Sequence, residues 1–125
     1  MDANSTIKKA LERFSLPVFP EYYDKNVRYS ENYPNIGNVS KGYFVFNYIS
    51  ETGTLYGDNK ELEDNTNLYI HLYTKEELIG KVKPIKQALE EYGFIITFVR
   101  RAKEKDTGYN HLTLEVSILS TEMEV

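Results

Sequence analysis

The sequence predicts one α+β domain over residues 1–125: a mainly antiparallel, or mixed, four-stranded sheet flanked by two main helices, with two long loops. Three observations predict it. Four apolar stretches read as strands, two stretches carry helical spacing, and the last two strands are separated by a hairpin-like turn rather than a helix. At 125 residues, 41% hydrophobic and 27% charged, the composition is that of an ordinary globular domain. A chain of this length buries roughly two-thirds of its unfolded surface.

Taken in order, the first helix is capped by Ser5 or Thr6, with Ile7, Ala10, Leu11 and Phe14 on one face and Lys8, Lys9, Glu12 and Arg13 toward water. The Leu16-Pro17-Val18-Phe19-Pro20 stretch ends it, because proline biases its predecessor away from helix. Residues 21–42 read as a long loop with room for one short strand; Pro34-Asn35-Ile36-Gly37-Asn38 is a turn signal. Tyr43 to Ile49 is a strand apolar on both faces, and Ser50 to Asn67 is a polar, acidic, exposed connection.

Leu68 to Tyr73 alternates cleanly, with Leu68, Ile70 and Leu72 opposite Tyr69, His71 and Tyr73. Thr74-Lys75-Glu76-Glu77 has the form of a capping box. The helix it opens carries Leu78, Val82, Ile85 and Leu89 to a stop at Gly93, with a kink or break expected between Gly80 and Pro84. Phe94 to Val99 is a second strand apolar on both faces, and Arg100 to Gly108 reads as a charged turn. The last strand, Tyr109 to Leu119, points Leu112, Leu114, Val116 and Ile118 inward and His111, Thr113, Glu115 and Ser117 outward; Thr121 to Val125 reads as a frayed tail. Strands apolar on both sides imply a sheet covered on both faces. Two helices cover one face only, so long loops or a neighbouring subunit must cover the other.

Several function classes recede on composition. A net charge of −4 gives no reason to expect nucleic-acid binding, and the absence of cysteine removes disulfides, thiolate zinc sites and cysteine nucleophiles. No apolar run approaches the length needed to span a bilayer, and Met1 to Ser5 lacks signal-peptide features, so a soluble intracellular protein is expected. The two histidines, His71 and His111, fall at outward strand positions; neither a metal site nor a cofactor is expected. Asp106-Thr107-Gly108 spells the aspartic-protease triplet, but it follows a solvated charge run and reads better as a hairpin turn. Gly57-Asp58-Asn59 with Glu61, Glu63 and Asp64 lacks calcium-loop spacing. No phosphate-cradling loop or nucleophile elbow is present, and no catalytic activity is expected.

What remains points to surfaces. The chain has 11 tyrosines and no tryptophan, with seven of the tyrosines between Tyr22 and Tyr56. Tyrosine joins a large apolar ring to a polar handle, which suits contact surfaces. A basic patch at Arg100, Arg101, Lys103 and Lys105 is matched by an acidic one from Glu51 to Asp64, a pairing that favours head-to-tail contacts and rings.

In succession, these stretches resemble the tail-terminator (tail-completion, head–tail joining) proteins of long-tailed phages and prophages of Gram-positive bacteria. The resemblance runs through Ile7–Phe14 into Leu16-Pro17-Val18, Tyr43-Phe44-Val45-Phe46, Tyr56-Gly57-Asp58-Asn59-Lys60 and Tyr69–Lys75. It continues through Tyr92-Gly93-Phe94 to Lys105-Asp106-Thr107-Gly108-Tyr109-Asn110-His111. It covers nearly the whole chain in order, through short, degenerate words. It implies a non-enzymatic ring, typically a hexamer, that caps the head-proximal end of the tail tube and presents the surface where the filled head docks. The implied partners are other copies of the chain, the major tail tube protein and the head connector protein, with no membrane and no specific nucleic acid. The implied location is the host cytoplasm during assembly and then the neck of the virion. Candidate subunit or tube contacts are Tyr29, Tyr33, Asp58, Lys60, Arg100, Arg101 and Lys103. The alternatives are a small cytoplasmic adaptor or inhibitor that binds through the tyrosine-rich loop, and a hydrolase using Asp106 or the histidines.

Overall fold

The computed structural model describes residues 3–21, 23, 33, 35–52 and 65–119. Its elements are α1 (Ala3–Leu11), β1 (Val18–Pro20), β2 (Gly42–Thr52), β3 (Asn65–Thr74), α2 (Val82–Glu91), β4 (Ile95–Lys103) and β5 (Asn110–Leu119). Single turns of 3₁₀ helix follow α1, at Glu12–Phe14, and precede β2, at Ile36–Asn38.

The α+β class holds, but the sheet has five strands, not four, in the order β1-β2-β3-β5-β4. The additional strand is β1, which runs parallel to β2 with Val18, Phe19 and Pro20 opposite Phe44, Val45 and Phe46. The sheet is therefore mixed. Pro17 and Pro20 hold this stretch extended, and a proline without an N–H is tolerated on an edge strand. The remaining neighbours are antiparallel. At the start of β2 the strands come so close that a Cβ on Gly42 would lie 2.7 Å from the Tyr73 carbonyl oxygen.

Strand alternation builds the core. Phe44 and Phe46 of β2, Leu68, Ile70 and Leu72 of β3, and Leu112, Leu114, Val116 and Ile118 of β5 share one face and are at most 2% exposed. Ile7, Ala10 and Leu11 of α1 and Val82, Ile85 and Leu89 of α2 join them in one cluster, so both helices cover the same face. α1 begins at Ala3, ahead of the expected cap.

Two boundaries differ instructively. Thr74 does not open a helix at the expected capping box: its Oγ1 accepts the Glu76 amide at 3.1 Å and donates to the Lys41 carbonyl at 2.9 Å, and the chain turns until α2 starts at Val82. Pro84 therefore lies in the first turn, where its missing N–H costs nothing, so the break expected between Gly80 and Pro84 is the start of the helix itself rather than a kink within it. The stop at Gly93 is as expected. Gly93 has φ 93°, and the amides of Gly93 and Phe94 bond the carbonyls of Glu90 and Leu89, a Schellman closure with Phe94 and Leu89 both in the core.

The second difference is β4, which continues through Arg100, Arg101 and Ala102 to Lys103, where a turn was expected. β4 is an edge strand with one hydrogen-bonded neighbour, and edges accept charge because their side chains reach water. A register shift between Ile96 and Phe98 marks a bulge at Thr97.

Candidate functional site

The face of the sheet turned away from the helices holds the features of interest. Register and alternation place Phe19 of β1 there, with Tyr43, Val45 and Asn47 of β2 and Tyr69, His71 and Tyr73 of β3. β5 adds His111, Thr113 and Glu115, and β4 adds Ile95, Phe98, Arg100 and Ala102.

At the β1 end this face is covered from within the chain. Phe19 is fully buried, with Tyr23 stacked on it at 4.7 Å between ring centroids and Tyr33 tilted over it at 5.3 Å. From there the rings form a track across the strands. Tyr43 stacks on Tyr73 at 5.2 Å and Tyr73 on His111 at 4.3 Å, with Tyr109 edge-on to Tyr43 and Tyr73. The Lys75 ammonium lies 4.3 Å from the Tyr109 ring centre, within cation–π range. At the β4 end the cover is gone: Ile95 is 59% and Phe98 51% exposed.

In the middle of the track the two imidazoles meet. His71 Nδ1 lies 2.9 Å from His111 Nε2, and Thr113 Oγ1 lies 3.3 Å from the first and 3.2 Å from the second. On the other side of its ring, His111 Nδ1 is 3.9 Å from Glu104 Oε2. Burial, with His111 as a neighbour, lowers the pKa of His71 to about 4. His111 is lowered too, by burial first and by Arg100, against the pull of Glu104. Both rings are therefore neutral at physiological pH, one donating to the other. Burial raises Tyr43 to about 12, assisted by Tyr109, Tyr73 and Glu104, and Tyr73 is raised by burial and Glu104.

Beside the histidines is a cavity of about 210 Å³ lined by Glu21, Tyr23, Tyr43, Val45, Asn47, His71 and Tyr73. Asn47 Oδ1 is buried there without a hydrogen-bond partner. Buried amide oxygens rarely lack one. A larger cavity of about 370 Å³ opens on the helix side, with Phe44, Leu72 and Ile85 as its apolar wall and Lys41, Thr74 and Lys81 among its polar groups. Its cations are partly spent, since Lys81 pairs with Glu76 at 2.6 Å.

Of the residues singled out from the sequence, Tyr33 lies on Phe19, and Arg100 lies on the open face opposite Thr113. Arg101 and Lys103 alternate to the other side of the same exposed edge strand. Tyr29, Asp58 and Lys60 lie outside the described residues, as does most of the acidic stretch. The Asp106-Thr107-Gly108 triplet forms the exposed β4–β5 hairpin, with Gly108 at φ 77° and Thr107 Oγ1 donating to Glu104 Oε1. The sequence reading missed the meeting of the histidines. The signal was their shared outward parity on β3 and β5, which becomes informative only once the register sets His71 opposite Thr113.

No group of three or more His, Cys, Asp or Glu side chains converges among the described residues, and no helix among them is long and apolar enough to cross a membrane. Neither the models of known protein families nor the curated proteins contain a match to this chain.

Proposed function

We propose that this chain is a non-catalytic assembly protein that acts as a ring of identical copies, capping the head-proximal end of a phage tail tube and offering the surface to which the head joins. The observation that carries this reading is the sheet whose two described helices both lie on one face. Its other face runs from rings covered by the chain itself to exposed Ile95 and Phe98 on a free edge strand. Arg100, Arg101 and Lys103 decorate that edge and enter no salt bridge among the described residues. Apolar contact flanked by unpaired charge of one sign is the anatomy of a surface awaiting a partner. The adaptor reading gains less support, because Tyr23 and Tyr33 direct their rings onto Phe19.

On this reading the partners are further copies, the tube protein and the head connector. The protein is made in the host cytoplasm and ends in the virion neck. The test is reconstitution with the tube protein encoded beside it, viewed by electron microscopy. Tubes of limited length, each ending in one ring, are expected. The double substitution Arg100→Glu and Arg101→Glu should abolish the rings while changing stability by no more than about 0.5 kcal/mol. Unlimited, undecorated tubes with the unaltered protein, or neighbouring genes of metabolism rather than of tail and head, would overturn it.

A further inference from the structure

We propose that His71, His111 and the Thr113 hydroxyl form a binding site for one divalent transition-metal ion on the open face of the sheet. The site is independent of the assembly role. Its three donor atoms make a triangle with edges of 2.9, 3.2 and 3.3 Å. An ion held at about 2.0–2.1 Å from each ligand needs ligand separations of roughly 2.9 Å at octahedral angles and 3.4 Å at tetrahedral ones. The triangle already spans that range. It is also held firmly: β3 and β5 pair without a break from Asn65 opposite Leu119 to Thr74 opposite Asn110. Tyr73 stacks on the His111 ring at an interplanar angle of 18°. Two imidazoles with one oxygen select zinc or nickel over calcium or magnesium, and water completes the coordination.

The surroundings fit the proton arrangement that ligation demands. Both inward nitrogens must present lone pairs, so each ring must carry its proton on the outer nitrogen. Glu104, 3.9 Å from His111 Nδ1, favours the proton there and leaves His111 Nε2 free to ligate, as a supporting carboxylate does behind a metal-bound histidine. Without metal, His71 Nδ1–H donates to that lone pair. When metal binds, the His71 proton moves to Nε2, and the cavity that His71 lines contains the unpartnered acceptor Asn47 Oδ1. Arg100, across from Thr113 on β4, is a positive charge that opposes the ion.

Calorimetric titration of the tag-free full chain with Zn²⁺ and with Ni²⁺, alongside two-dimensional NMR of the imidazoles, tests the site. Saturable binding of one ion per chain is expected, with both histidine rings shifting and Mg²⁺ without effect. Glu104→Gln, which leaves the core untouched, should weaken binding about tenfold, and Arg100→Gln should tighten it. His111→Asn, once circular dichroism shows it folded, should remove it. Absence of saturable binding by either ion overturns the site, as does binding that His111→Asn and Glu104→Gln both leave unchanged. Rings that form in chelator would leave the assembly reading standing whatever the titration shows, so the two can fail separately.

Discussion

On β3, Leu68, Ile70 and Leu72 are at most 2% exposed, whereas Tyr69, His71 and Tyr73, alternating with them, are only partly buried. The same ten-residue strand thus borders two different environments. On the helix side, aliphatic side chains interdigitate with α1 and α2 and have no polar atoms to satisfy. On the far side, rings with a hydroxyl or a ring nitrogen stack on one another. Such side chains tolerate water on one edge while remaining ready for contact on the other. The difference teaches that this chain completes one half of its core by itself. It leaves the other half in a chemistry that survives either wet or covered.

The comparison is most open to challenge through paired truncations. Leu114→Ala on the covered face should cost about 3 kcal/mol, since the residue is 1% exposed among close neighbours. Phe98→Ala, half exposed on β4, should cost less than about 1 kcal/mol in the isolated chain. Equal losses in chemical denaturation would mean that the two faces are not distinct in energy. Phe19→Ala sharpens the boundary between them. Although Phe19 sits on the far face, its ring is fully buried beneath Tyr23 and Tyr33, so a loss of roughly 2 to 3 kcal/mol is expected. A loss near zero would move the boundary back to β2.

The remaining expected effect is alkaline. The Tyr43 pKa is raised from its ordinary value of 10.0 to about 12 in the fold, so the neutral phenol is favoured there. Its contribution to stability is fully present below pH 10 and is lost as the pH rises from 10 toward 12, where the unfolded chain has already given up the proton. Tyr43→Phe should flatten stability over that window, as followed by urea midpoints. A steepened curve would reverse the sign assigned to its burial.

Legibility in the sequence followed the same division. β3 and β5 were readable because one face of each is buried, and burial imposes strict alternation on Leu68–Leu72 and Leu112–Ile118. The edges were not. Arg100 to Lys103 looks like a turn because charge is as acceptable on a solvent-facing edge strand as in a loop. Val18–Pro20 is too short to show a period, and its partner lies more than twenty residues on. The Thr74–Glu77 stretch has the residues of a helix start, yet the same threonine hydroxyl serves equally to brace a turn against Lys41. Of the site, the outward positions of His71 and His111 could be read, but not that they touch. Contact between strands is fixed by register, and register is set by pairing that no single stretch records.

The parallel pairing of β1 with β2 bears on how the molecule reaches this arrangement. Antiparallel neighbours joined by a short hairpin, as β4 and β5 are, can zip up from the turn between them. β1 and β2 have no such starting point, because the chain from Pro20 to Gly42 must first be gathered in before Phe19 meets Val45. Closing that gap brings only three residue pairs of ladder, so this join is expected to form late in folding and to be among the first to part, which amide hydrogen exchange at β1 would show as weak protection.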